Sequence, residues 1–257
     1  MTIKNKKAGI FAAGMVLAML IFMSAAWFAF STTNEKIGVE FRAINYLENL
    51  KNEQIKFKIY SEDATNIASV QSFYEIAKDS AIDKAEASCQ VLDNYIIWSQ
   101  DCKPESSFTK QQFLSDYNRV FTNLISKYPN ENLRATFTNE IIENSVVSTT
   151  LPLTLKAEKQ GSFAKYSFET TFTPLIKVNL TKESIILGDF AEIYTDVISC
   201  SKDLACFNNL DFENWNFKVT EYSTYFLFKF QTKKSFFFTN GAIQNFKPIE
   251  LNFIIKK

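Results

Sequence analysis

Residues 8–30 carry no charged side chain, and Lys4, Lys6 and Lys7 stand just before them. A helix of 23 such residues matches a bilayer core of about 30 Å. Past the run the pattern turns amphipathic. Ile37, Phe41, Ile44, Leu47 and Leu50 advance at helical spacing, with Glu48 and Lys51 on the adjoining rows. Ala64, Ile67, Ala68, Ile76, Ala77, Ala81 and Ala85 continue it. No proline precedes Pro104, and Gly38 is the one glycine between Gly14 and Gly161. The pattern therefore predicts a long helix with a break near 61–63, then a second helix over 67–92. A third runs over 108–128, with Phe113, Tyr117, Val120, Phe121 and Leu124 on one face, Ser107 as cap and Pro129-Asn130 as stop.

From Val146 the period shortens to two. Leu151, Leu153, Leu155 and Ala157 alternate with polar residues, Lys159-Gln160-Gly161 makes a turn, and 163–173 returns. Phe226, Phe228 and Phe230 alternate, as do Phe236 and Phe238, and Ile249, Leu251, Phe253 and Ile255. Asn240-Gly241 is a hairpin dipeptide between two of these runs. The phenylalanines suit the core side of a half-buried sheet. Helices first and strands after predict an α+β fold with an antiparallel sheet or sandwich. The expected organisation is a lysine-rich cytoplasmic start (1–7), a transmembrane helix (8–30), a helical extracytoplasmic region (31–145) and a β-rich extracytoplasmic domain (146–257).

Charge fixes the expected orientation. The lysines hold the N-terminus in the cytoplasm and leave the bulk of the chain outside, as a single-pass protein of the cell membrane. Trp27 and Phe28 suit the aromatic belt at the outer interface. The run is longer than the apolar core of a cleavable signal, whose best site here would be Ser24-Ala25-Ala26. An uncleaved signal anchor is the expectation from length. The alternative is a leader cut ahead of the helix, around Lys7, Ala8 and Gly9. Ala8, Ala12, Gly14, Ala18, Ala25 and Ala29 include pairs four apart, a spacing that lets membrane helices approach closely.

The chain has 28 basic and 28 acidic side chains, and the three lysines ahead of the apolar run leave 25 basic against 28 acidic beyond it. Near-balance and scarce arginine (Arg42, Arg119 and Arg134) argue against a nucleic-acid surface, and no nucleic-acid partner is expected. Outside the cell, Cys89, Cys102, Cys200 and Cys206 read as local disulfides, Cys89–Cys102 and Cys200–Cys206. Asn179-Leu180-Thr181 is a glycosylation acceptor pattern.

Chemistry is harder to find. With no histidine in the chain, Ser-His-Asp and Cys-His catalysis are excluded, and a zinc site loses its commonest ligand. The few glycines form no phosphate-binding or nucleophile-elbow pattern. Acid pairs remain: Asp189, Glu192, Asp196, Asp211 and Glu213, which by default are solvated surface. The segment 211–216 lacks the glycine and spacing of a calcium loop and reads as the start of a strand. No catalytic, metal or cofactor residue is expected, and the chain is not expected to be an enzyme.

Lys6-Lys7-Ala8-Gly9-Ile10-Phe11 and the apolar helix continue through Phe41, Ile44, Asn45, Leu47 and Leu50. A short helix from Phe113 to Leu124 follows, then Phe- and Thr-rich strands around Val178-Asn179-Leu180-Thr181. This layout resembles a family of pilin-like archaeal surface proteins with one N-terminal anchor. The resemblance implies an extracytoplasmic, non-enzymatic role in a pilus-like or envelope assembly. The anchor and long helix themselves lead to the expected partners, the lipid bilayer with protein partners or further copies of the chain. The alternatives in other classes are an anchored binding module with a cleft between helices and sheet, and a carboxylate hydrolase of the envelope.

Overall fold

The computed structural model describes the backbone of residues 4–82, 89–160, 165–240 and 243–257, and the side chains of 19–29, 45–82, 89–158, 167–238 and 245–257. The chain divides into two compact units, Met1–Gln54 with Lys156–Glu169, and Ile55–Leu155 with Thr170–Lys257. Helix α1 (Lys4–Lys78) belongs to both. The fold is α+β, as the change of period implies.

The expected break at 61–63 is absent, because the polar residues there bond within the helix. Ser61 Oγ donates to the Phe57 carbonyl at 2.7 Å, and Thr65 Oγ1 to that of Ser61 at 2.8 Å. The expected helix over 67–92 also needs correction, since α1 stops at Lys78. The Ser80 amide donates to the Ala77 carbonyl and the Ala81 amide to that of Ile76, both at 2.9 Å. This Schellman arrangement puts Ser80 at φ 57°, where glycine is usual. Without glycine the sequence gives no stop signal. Ser80 is instead clamped from outside: its hydroxyl donates to the Asn252 carbonyl at 2.7 Å, and its own carbonyl accepts from Trp98 Nε1 at 3.1 Å. Ala85 lies outside the described residues.

In the first unit, Tyr46 stacks on Phe168 with centroids 5.8 Å apart, and Lys156 Nζ lies 3.1 Å from Glu169 Oε2. Leu50 is buried while Leu47 is exposed. Residues 19–29 of α1 are exposed without interruption, Met19, Leu20, Ile21, Phe22, Met23, Trp27 and Phe28 included. Among the described residues, no helix is long and apolar enough to cross a membrane. The expected span 8–30 falls partly outside them, since the side chains of 8–18 and Phe30 are not described; those of Lys7, Ala8 and Gly9, the expected processing site, are outside as well.

In the second unit, α1 buries Phe57, Ala64, Ala68, Phe73, Ile76 and Ala77, a face at helical spacing. Helix α2 (Ser106–Ile125) buries Phe113, Tyr117, Phe121 and Ile125. Val120 and Leu124 are half-buried, and Glu105 rather than Ser107 holds the cap position. Tyr117 Oη lies 2.9 Å from Ser148 Oγ and donates to Thr65 Oγ1 at 3.2 Å, joining both helices to the segment that carries Ser148.

The strands are β1 (Val91–Leu92), β2 (Tyr95–Ile97), β3 (Thr138–Ile142), β4 (Ser145–Thr149), β5 (Leu153–Gln160), β6 (Lys165–Phe172), β7 (Leu175–Asn179), β8 (Trp215–Glu221), β9 (Tyr225–Asn240) and β10 (Ile243–Lys256). They form sheets of order β1-β2-β10-β9-β8, β3-β4-β7 and β5-β6. Pairing is antiparallel in the first two sheets except between β2 and β10, which run parallel, a correction to the all-antiparallel expectation. The β3–β4 hairpin crosses the expected boundary at 145/146, and helices α3 (Asp189–Ser199) and α4 (Leu204–Asn208) lie within the expected β-rich region. Leu151 is exposed ahead of Pro152, so that strand begins at Leu153.

The long hairpin follows the phenylalanine alternation. Phe226, Phe228 and Phe230 of β9, and Ile249, Leu251, Phe253 and Ile255 of β10, are all buried. Asn240 pairs with Ile243 across the expected turn, whose Gly241 lies outside the described residues. Pro248 cannot donate to the ladder, and the register shifts between it and Glu250. Thr232 Oγ1 fills the irregularity, accepting from the Ile249 amide at 2.9 Å and donating to the Lys234 carbonyl at 2.8 Å.

Candidate functional site

The acidic residues singled out from the sequence do not converge on one cleft. Asp189 opens α3 and is 9% exposed. Its Oδ2 accepts from Trp215 Nε1 at 2.9 Å and from Asn214 Nδ2 at 3.3 Å, tying the start of α3 to the start of β8. Burial raises its pKa above the usual carboxylate value. The two hydrogen bonds oppose the rise, and the charges of Glu192 and Glu213 add to it. Glu192, Asp211 and Glu213 are exposed and Asp196 is half-buried, while Asp211 lies 3.9 Å from Lys233 Nζ. The segment 211–216 leads into β8, which begins at Trp215, through a turn closed by an isolated bridge between Phe212 and Trp215. Among the described residues, no three or more His, Cys, Asp or Glu are grouped to hold a metal ion.

The position of Asp189 has a measurable consequence. A carboxyl whose pKa is raised by folding binds its proton more tightly in the folded state, so it favours folding most below its unfolded pKa of about 3.8. That contribution is lost as pH rises through the folded value. Denaturant unfolding of the protein and of Asp189→Asn across pH 3 to 7 is expected to show a declining contribution in the first and not in the second. Equal slopes would remove the assignment.

The four cysteines form the two expected pairs. Cys89–Cys102 has a Cα–Cα distance of 5.5 Å and Cys200–Cys206 one of 5.4 Å. Each pair fixes a short loop. Ser99 and Cys102 exchange backbone hydrogen bonds of 2.9 and 3.3 Å around Gln100 and Asp101. In the second loop Ser201 and Lys202 adopt φ 49° and 70°, the left-handed region that costs a non-glycine residue roughly 1–2 kcal/mol. The Asp203 amide closes that turn on the Cys200 carbonyl at 2.9 Å.

Between these two loops lies a cavity of about 640 Å³. Its buried side is Ile97, Trp98, Val197, Phe207 and Ile255, and its exposed side includes Gln100, Asp101, Ser201 and Lys202. Trp98 is held in place by a stack on Phe253, with centroids 3.5 Å apart, and by the edge of Tyr194. Tyr194 Oη in turn donates to the Ser99 carbonyl at 2.9 Å. The volume falls within the range of about 300–1,000 Å³ typical of small-molecule sites. An apolar floor under a polar rim suits a small molecule with an apolar body and polar ends.

Sequence reasoning missed this cavity because it placed 67–92 in a helix and assigned no helix over 189–208. One signal was available. Asp93 and Asn94 have φ 51° and 66°, a tight turn of the residue types that favour it, between Val91-Leu92 and Tyr95-Ile96-Ile97. Asn179 is exposed at the end of β7. Comparison with protein-family models, with curated proteins and with solved structures gave no match.

Proposed function

We propose that the chain is a single-pass, membrane-anchored structural or interaction protein whose bulk lies outside the cell, as a component of a pilin-like or envelope assembly. One observation carries this reading. The apolar stretch 19–29 is exposed on every face of α1, yet the same helix continues into a segment buried in a core. An exposed apolar surface of this kind is suited to lipid or to another helix. Two disulfide pairs fit an oxidising compartment, in agreement with that topology. A second reading, an anchored binding module for a small ligand, is supported by the cavity between the disulfide loops.

Intact mass and the N-terminal residue of protein taken from its native membrane test the first reading. A start at Gly9 or Ile10 is expected if the helix is processed for assembly, and Met1 or Thr2 if it is a static anchor. Recovery of the full-length chain in the soluble fraction after cell lysis would sink both forms. Thermal stabilisation by a small amphiphilic ligand, abolished when Val197 is enlarged to tryptophan, would favour the second reading.

A further inference from the structure

Asn179-Leu180-Thr181 is the sole N-x-S/T pattern in the 257 residues, and the fold presents it in a specific way. Asn179 ends β7 and pairs with Ser145. The chain then turns tightly: the Glu183 amide donates to the Asn179 carbonyl at 3.3 Å, and the Ile185 amide to that of Leu180 at 2.8 Å. Leu180 and Ile185 are buried and pin the turn, while Asn179 and Thr181 stay exposed. Asn179 Oδ1 accepts from the Lys182 amide at 3.1 Å. That bond fixes the side-chain amide with its oxygen turned to the protein. Its Nδ2 has no hydrogen-bond partner among the described residues.

We propose that Asn179 is an N-glycosylation site. In the reaction, Nδ2 bonds to the anomeric carbon of an oligosaccharide carried on a polyprenyl phosphate or diphosphate. The bond from the anomeric carbon to the phosphate oxygen breaks, the carrier leaves as the polyprenyl phosphate or diphosphate, and the transferase takes the Nδ2 proton. The assignment rests on the extracytoplasmic topology proposed above. The sheet suggests what the sugar does. In the order β3-β4-β7, β7 is an edge strand, and Leu175 on it is 65% exposed. A bulky polar group at the end of that edge obstructs strand-to-strand pairing with another molecule.

Protein from the native membrane is digested, and the peptide containing Asn179 is weighed. Excess mass on Asn179 is expected, lost in Thr181→Ala and retained in Thr181→Ser. Protease added to intact cells reports separately where the bulk of the chain lies. An unmodified Asn179 in a chain digested from outside overturns the site and leaves the topology standing. An unmodified Asn179 in a protected chain overturns both. Asn179→Gln is expected to self-associate more than the glycosylated protein in sedimentation, and equal behaviour would overturn the shielding role.

Discussion

Breaking both disulfides is expected to lower the unfolding free energy by about 5 kcal/mol, with about 3 from Cys89–Cys102 and about 2 from Cys200–Cys206. The difference follows from loop length, a sequence separation of 13 against 6. Longer closed loops remove more freedom from the unfolded chain. The second loop has a further dependence on its cross-link, because Ser201 and Lys202 hold left-handed backbone without glycine. Denaturant midpoints of Cys89→Ala/Cys102→Ala and Cys200→Ala/Cys206→Ala should both fall, the first further. If four free thiols appear under reductant and the midpoint does not move, the cross-links carry no stability. The same variants probe the cavity, since each loop forms one of its walls.

The second large effect is expected at Trp98. It is 1% exposed, stacks on Phe253, and donates Nε1 to the carbonyl of Ser80, which sits in the cap just past the end of α1. Trp98→Ala is expected to cost about 3–5 kcal/mol from the lost contacts and the space left behind. It also leaves the Ser80 carbonyl without that donor. Trp98→Phe restores most of the stack but not the hydrogen bond, so it should recover part of the loss. Equilibrium unfolding of the three proteins checks the order. A Trp98→Phe variant no more stable than Trp98→Ala would mean that the hydrogen bond, rather than the stack, dominates.

Periodicity carried most of the strand reading. Ile249, Leu251, Phe253 and Ile255 alternate in the sequence and all point into the core. Phe113, Tyr117 and Phe121 were legible in the same way. What the sequence hid were places where one residue stands in for another. Ser80 caps a helix in a conformation normally signalled by glycine, and its support comes from Asn252, far along the chain. The parallel pairing of β2 with β10 joins segments more than 150 residues apart, beyond the reach of any local pattern. The cysteine pairs were legible because spacing alone limits which loops can close. The cavity between them was not, since it depends on how α3 and α4 meet the ends of β2 and β10.

The lower part of α1 ends inside a core, with Phe57 and Phe73 fully buried and Tyr60 Oη donating to the Leu124 carbonyl at 2.7 Å. Within the second unit, a load placed on this part of α1 is therefore resisted by side-chain packing along the helix. Phe57 meets the edge of Tyr128 there, at ring centroids 5.1 Å apart. Sliding the helix out of this unit would have to break those ring contacts and the Tyr60 hydrogen bond together, so the second unit is expected to release it in one step and not turn by turn.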